Sequence, residues 1–302
     1  MPQEGLDYPF RGSDHPWEGS GYPREGSSVP SEGLRIPSRP PPIIRPVTPS
    51  ARRIESRFVQ VSGLRMHVRL AAGPAGGGGA PLVLVHGLGV SSRYMVPLAE
   101  ILASSRAVYA PDIPGFGKSD KPRRALDIHQ QAEILAAWMS AMGLDRAAFF
   151  GHSLGCQVVA DLAYHHPEAV DRLVLAAPTI DDHGRSVPRE LLRLLRDVPR
   201  EPFSLVPIVA ADYLRAGLGR ALRTLRYGLA DRIEEKLPRL AMPALVLRGE
   251  RDPVVSEPWT ERVCRLLPRG RLAIVPKAAH AFHFSAPREV AGLLIPFLDE
   301  DR

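Results

Sequence analysis

Gly151-His152-Ser153-Leu154-Gly155 sits between an apolar run, Ala147 to Phe150, and a helix-like stretch from Cys156 to His166. A serine in that context stands on a sharp strand-to-helix turn. Small flanking residues tolerate the tight backbone, the hydroxyl is lifted out of the sheet into reach of a base, and the helix N-terminus favours negative charge. The chemistry this permits is nucleophilic attack on a carbonyl. A serine hydroxyl is almost fully protonated at neutral pH, so it needs a base, and the base needs an orienting group.

Base candidates lie near the C-terminus, in the stretch Ala278 to Pro287, which follows a strand-like segment, Leu272 to Val275, and precedes a helix opening at Pro287. This places them in a loop at the carboxyl edge of a sheet. His280 comes first after the strand, between small neighbours, and is the preferred base. His283 falls among aromatic residues and reads as a packing residue. The orienting carboxylate is expected at another strand end: Ala244 to Leu247 is a short apolar strand, and Asp252, held in an extended backbone by the following proline, leaves it in a turn. Glu250 is its near competitor, and Asp181 and Asp182 are more distant ones. The chain order is then Ser, Asp, His.

Five segments in that order resemble the α/β-hydrolase fold family. Leu82 to Gly89 resembles a strand followed by the family's HG-x-G oxyanion loop, and Asp112-Ile113-Pro114-Gly115-Phe116-Gly117-Lys118-Ser119-Asp120 resembles its D-x-P-G-x-G-x-S signature. The serine elbow, the Gly249 to Asp252 turn and a histidine seven residues before Pro287 complete the set. One departure is visible, since Ala279 stands where many members have glycine. The resemblance runs from about Phe58 to the C-terminus. It implies backbone oxyanion donors at Leu88 and Leu154, supported by the loop residues His86, Gly87 and Gly89, with His86 bracing that loop rather than acting as acid or base.

The elements that would position these residues alternate along the chain. A strand pair joined near Ser62-Gly63 leads through a Gly-rich connection, Gly73 to Ala80, into a first buried strand, and β-like segments then alternate with helix-like stretches. That pattern predicts a mainly parallel central sheet with helices on both faces. The Gly76 to Gly79 run is no phosphate loop, because no Gly-Lys-Ser/Thr follows it. Between 181 and 239 the alternation stops. Leu191, Leu192, Leu194, Leu195 and Val198 form one helical stripe, and Leu205 to Leu214 and Leu222 to Leu229 suggest two further helices. The family places a helical cap here, roofing the substrate pocket. Residues 55–180 and 240–302 would then form the hydrolase core.

Residues 1–54 are a different material. Proline recurs at Pro2, Pro9, Pro16, Pro23, Pro30 and Pro37 and glycine at Gly5, Gly12, Gly19, Gly26 and Gly33. Proline and glycine at this spacing interrupt any helix, so the segment is expected to be disordered or polyproline-like and dispensable for catalysis. Residues 185–239 carry eleven Arg and one Lys against seven acidic residues, most of the chain's formal net charge of +6. Solvated helix faces account for that excess, and no nucleic-acid module accompanies it. The chain has two cysteines, Cys156 and Cys264, and no apolar leader, which points to cytoplasmic residence, without a disulfide framework and without stable membrane insertion. Cys156 reads as a packed small residue.

The reading is a hydrolase that needs neither metal nor organic cofactor and acts on a small, apolar acyl substrate, with a carboxylester favoured. Carbon–carbon, thioester or lactone hydrolysis and acyl transfer use the same triad, and the cap would choose among them. The reading from another class is a non-turnover ligand-binding protein on the same fold. Nothing in the sequence sets an oligomeric state.

Overall fold

The computed structural model describes residues 54–74, 79–181 and 185–300. The proline/glycine repeat of residues 1–50, the Gly76 to Gly78 part of the glycine run and the alternative carboxylate Asp182 lie outside them. Among the described residues, eight strands form one sheet: β1 (Glu55–Val61), β2 (Leu64–Ala71), β3 (Leu82–Val85), β4 (Val108–Pro111), β5 (Ala147–His152), β6 (Val170–Ala176), β7 (Ala244–Gly249) and β8 (Gly270–Val275). Their spatial order is β1-β2-β4-β3-β5-β6-β7-β8. β1 pairs antiparallel with β2, and β2 with β4, while the other neighbours run parallel. The Ser62-Gly63 turn joins β1 to β2 as the sequence predicts.

Among the described residues, ten α-helices accompany the sheet: α1 (Val96–Leu102), α2 (Ile128–Met142), α3 (Gly155–His165), α4 (Val187–Asp197), α5 (Val206–Ala216), α6 (Leu218–Ala230), α7 (Ile233–Lys236), α8 (Glu257–Leu266), α9 (Phe282–Ser285) and α10 (Pro287–Asp299). Every residue of β3 and β5 is buried, which requires cover on both faces of the sheet because successive side chains alternate sides. Each fully buried Val or Leu there contributes about 1.5–3 kcal/mol of apolar burial. Helix starts follow local chemistry. α2 opens with a capping box in which the Asp127 carboxylate accepts the Gln130 N–H and the Gln130 side chain accepts the Asp127 N–H.

Two features of this layout position a site. β4 and β5 flank β3 on opposite sides, so the chain leaves the carboxyl ends of β3 and β5 at a switch point, where an open α/β sheet forms a crevice. The helices α4 to α7 are inserted between β6 and β7. The apolar stripe of α4 is not a core face: Leu191, Leu192, Leu195 and Val198 are all exposed.

Candidate active site

The serine elbow follows from sterics. β5 delivers His152 and Ser153, and Ser153 adopts φ of 54°, a left-handed conformation that costs a non-glycine residue about 1–2 kcal/mol. The turn is tight enough that its two glycines have no room for a side chain. A Cβ at Gly151 would lie 2.6 Å from the Gly155 carbonyl oxygen, and one at Gly155 2.6 Å from the Val85 carbonyl oxygen. The Ser153 N–H is tied to the Ala176 carbonyl at 2.9 Å on the neighbouring strand end. Cys156 packs in the first turn of α3, its thiol donating to the Gly151 and Ala176 carbonyls at 3.1 and 3.3 Å. Burial pushes that thiol well above its usual range, as a packed cysteine requires.

Of the two histidines, His280 is the one placed beside a carboxylate. Its Nδ1–H donates to Asp252 Oδ2 at 2.9 Å, and the other oxygen, Oδ1, accepts the Val254 and Val255 N–H groups at 2.7 and 3.1 Å. Burial alone would raise the Asp252 carboxyl, but the His280 ring and those two donors outweigh it and hold it below the ordinary carboxylate value. Burial would likewise lower His280. The Asp252 charge and hydrogen bond, with Asp197 and Glu201 nearby, reverse that and push the imidazole up to about 9. His280 Nε2 is buried and has no hydrogen-bond partner among the described residues.

The competitors sit elsewhere. Glu250 accepts the Lys277 N–H at 2.6 Å, away from His280, and Asp181 lies 3.5 Å from Arg193. His283 is buried against Tyr94, Phe150, His152 and Phe282, and burial, then His152 and His280, hold its pKa well below the usual value, so it is neutral. It belongs to α9, a single helical turn inside the segment expected to be loop throughout.

Ser153 and His280 line one cavity of about 410 Å³, together with Leu88 and Leu154. The serine loop and the Leu88 loop meet because Val85 pairs with Gly151 across β3 and β5. His86 braces the turn: its Nδ1–H donates to the Gly87 carbonyl at 2.9 Å and its Nε2 accepts the Ile113 N–H at 3.0 Å. Asp112, which opens the D-x-P-G-x-G-x-S segment, accepts from Ser92 N–H, Lys118 N–H and His67 Nδ1. Burial would raise it, yet these contacts bring it down to about 2, a fixed anion that organises the loop.

Three features escape sequence reading. The first is a hydrogen-bonded chain. Tyr94 Oη accepts the Gly87 N–H at 2.8 Å and donates to His152 Nδ1 at 2.7 Å, and His152 Nε2–H donates to the His280 carbonyl at 2.9 Å. One neutral tautomer of His152 satisfies every bond, and burial, then the charge of His280, lower its pKa to about 3. The Leu88 loop and the His280 loop are thereby locked together through the variable position of the elbow.

The second is a pair of acids from the insertion. Asp197 Oδ1 accepts the His280 N–H at 3.3 Å, and Glu201 Oε1 accepts the Ala281 N–H at 2.6 Å. Burial and then Asp197 raise Glu201 to about 7, and burial raises Asp197 as well. Their only sequence signal is two acids four apart in an arginine-rich segment, which is too common to single out. The third is Gly89, whose Cα approaches the Tyr213 ring of α5 so closely that a Cβ would overlap it, at 2.4 Å, joining the insertion to the loop after β3.

A possible metal cluster, His129, Asp161 and His165, brings its donor atoms within 4.8 Å of one another. The Lys236 ammonium lies 2.6 Å from Asp161 Oδ1 and 2.5 Å from Asp231, and this cation occupies the carboxylate that a metal would need. No helix among the described residues is long and apolar enough to cross a membrane.

Known proteins agree with this architecture. The Mycobacterium tuberculosis (strain ATCC 25618 / H37Rv) protein Rv2715 is 24% identical over 291 residues, covering 80% of this chain and 81% of that protein. Among solved structures, a membrane phospholipase A described as a bacterial virulence factor is 26% identical with a TM-score of 0.66, covering 82% of this chain and 86% of that one. The enol-lactonase from Burkholderia xenovorans LB400 shares the fold at a TM-score of 0.71 and 21% identity, over 81% of this chain and 100% of that one. Residues 82–293 match the model of the alpha/beta hydrolase family, a span running from the first buried strand into the last helix, and the chain therefore belongs to that family.

Proposed function

We propose that the protein is a cofactor-independent serine hydrolase that cleaves a carboxylester through an acyl-enzyme. The observation that carries this reading is the Asp252–His280 pair at 2.9 Å, with His280 Nε2 buried and unpartnered in the cavity that Ser153 lines. Ser153 Oγ attacks the substrate carbonyl carbon while its proton passes to His280 Nε2. The negative charge that forms on the carbonyl oxygen is held by the Leu88 and Leu154 N–H groups. Collapse breaks the carbon–oxygen bond, and His280 returns the proton to the departing alcohol. Water, deprotonated by His280, then releases the acid and restores Ser153. Asp252 keeps the imidazole in the required tautomer and stabilises its protonated form.

Supporting an apolar acyl group, the cavity is walled by Val90, Ile180, Leu194, Leu205, Val209 and Leu225, and several of these come from the 187–239 insertion, which acts as the cap. Family membership and hydrolase relatives support hydrolysis as the reaction class. The test is labelling with an alkyl fluorophosphonate. The expected result is modification of Ser153 alone, with p-nitrophenyl ester turnover abolished in Ser153→Ala. Labelling at another serine, or full activity in the variant, overturns the mechanism. A protein with neither labelling nor turnover would be a ligand-binding member of the family instead.

A further inference from the structure

We infer that Asp197 and Glu201 form an acidic subsite that admits uncharged or cationic acyl substrates and excludes anionic ones, a specificity that rests on the serine-hydrolase reading of this cavity. Three carboxyl side chains line the cavity, Glu190, Asp197 and Glu201, and among the described residues no Arg or Lys does. Glu190 is paired with Arg193 at 2.7 Å. Among the described residues, no Arg or Lys pairs with the other two carboxyls or lines the cavity beside them. They accept the backbone N–H groups of His280 and Ala281 at 3.3 and 2.6 Å. Glu201 Oε2 has no hydrogen-bond donor among the described residues, so no Arg or Lys neutralises the carboxylate charge that these two groups bring to the cavity wall.

That charge stands beside the reacting centre. Asp197 and Glu201 contact the backbone of the loop whose His280 Nε2, buried and unpartnered, opens on the same space. In the reactive form His280 is neutral, so no cation faces a bound substrate. An anionic substituent entering this apolar cavity would lose its water, meet like charge and find no partner. A cationic group would instead gain an attractive neighbour, and a hydroxyl would gain an acceptor. The arginines of the insertion do not alter this, because none of them reaches the cavity wall.

A merely structural role for the pair, fastening the insertion to the His280 loop, would scale all substrates alike. The test therefore reads a ratio. Three p-nitrophenyl esters of similar length are compared: the pentanoate, the 4-sulfobutyrate, whose sulfonate stays charged at every pH used, and the 4-(trimethylammonio)butyrate. In the wild type kcat/KM is expected to be at least about 100-fold higher for the pentanoate than for the sulfonate ester, with the cationic ester no poorer than the pentanoate. E201Q keeps an acceptor for the Ala281 N–H and should shrink the neutral-to-anionic ratio at least tenfold, as should D197N/E201Q.

A second measurement does not depend on folding of the variants. Burial and Asp197 bring Glu201 to about 7, so the wild-type ratio should be smaller at pH 5.5 than at pH 8. Titration of His280 affects all three esters and cancels in the ratio. Equal rates for the neutral and anionic esters in the wild type, or an unchanged ratio in folded E201Q, would overturn the subsite while leaving the hydrolase intact. Absence of both turnover and fluorophosphonate labelling would remove the hydrolase reading, and the subsite with it.

Discussion

The loops at the carboxyl ends of β3, β5, β7 and β8 and the helices of the 187–239 insertion share one cavity but are held by different forces. The strand-end loops are fixed by buried hydrogen bonds with short distances: Asp252 takes three donors, and Tyr94 and His152 tie the Leu88 loop to the His280 loop. The insertion contributes mainly apolar side chains, many of them at the surface, with Phe203 94% and Leu195 68% exposed. Its polar contacts with the His280 loop are two raised carboxyls, and Asp212 accepts the Ser91 hydroxyl beside the Leu88 loop at 2.6 Å. A chemical step needs atoms held within fractions of an ångström, which paired polar groups on a buried sheet provide, whereas a substrate wall needs shape and charge that can differ between relatives. The difference teaches where to look for mechanism and where for specificity.

The sharpest break of this comparison is at the two histidines. His280→Ala should lower kcat by on the order of 10³-fold or more, because acid–base transfer and activation of Ser153 disappear together. His283→Ala, which removes a neutral packing ring, should lower Tm and leave kcat within about tenfold. Steady-state kinetics and thermal melts of both variants decide it, and reversed effects would move the base by three residues.

Tyr94→Phe comes next. It strips the Gly87 N–H of its acceptor and His152 Nδ1 of its donor, at a cost of about 1–3 kcal/mol for the buried groups left unsatisfied. If the strand-end loops act as one locked unit, kcat should fall about tenfold with KM little changed, whereas a purely structural tyrosine would lower Tm alone.

The insertion should act on rate through charge. With the His280 imidazole pushed up to about 9, the ring is protonated at neutral pH, and under the proposed mechanism only its neutral form can accept the Ser153 proton. The value of kcat/KM on a neutral ester should therefore rise with pH through that region. Burial opposes the shift, and Asp252, Asp197 and Glu201 cause it, so D197N or E201Q should move the limb to lower pH by about one unit while Asp252 stays in place. An unmoved limb would show that the insertion does not set the base.

The effect of the insertion's surface on stability is the smallest. Leu175→Ala in β6 removes a side chain with no exposed surface and should cost about 2–5 kcal/mol. Leu195→Ala on α4 should cost less than about 0.5 kcal/mol, yet raise KM for a long-chain ester because Leu195 lines the cavity. Denaturant melts beside ester kinetics test the pair.

Much of the architecture is legible before any coordinates. Short apolar runs at Leu82, Ala147, Leu173 and Ala244 are strands because four to six consecutive buried positions suit a sheet covered on both faces, the run at Leu272 is the half-exposed edge strand, and Gly151 and Gly155 mark an elbow because no side chain fits there. The short helix at Phe282 is less visible. It spans four residues and leaves no periodic pattern to read.

The placement of Ser153, His280 and Asp252 at strand ends is thus a property of the sequence by itself, since each depends on its own neighbours: an apolar strand before it and a turn residue beside it. The partners that tune them are not local. Asp197 reaches the His280 N–H across 83 residues, Glu201 reaches the Ala281 N–H across 80, and His152 reaches the His280 carbonyl across 128. Apolar periodicity marks a stripe on a helix but not what that stripe meets, and on α4 it is exposed while Asp197 is buried, so only the tertiary structure could decide that two acids from an arginine-rich insertion would turn inward and raise His280.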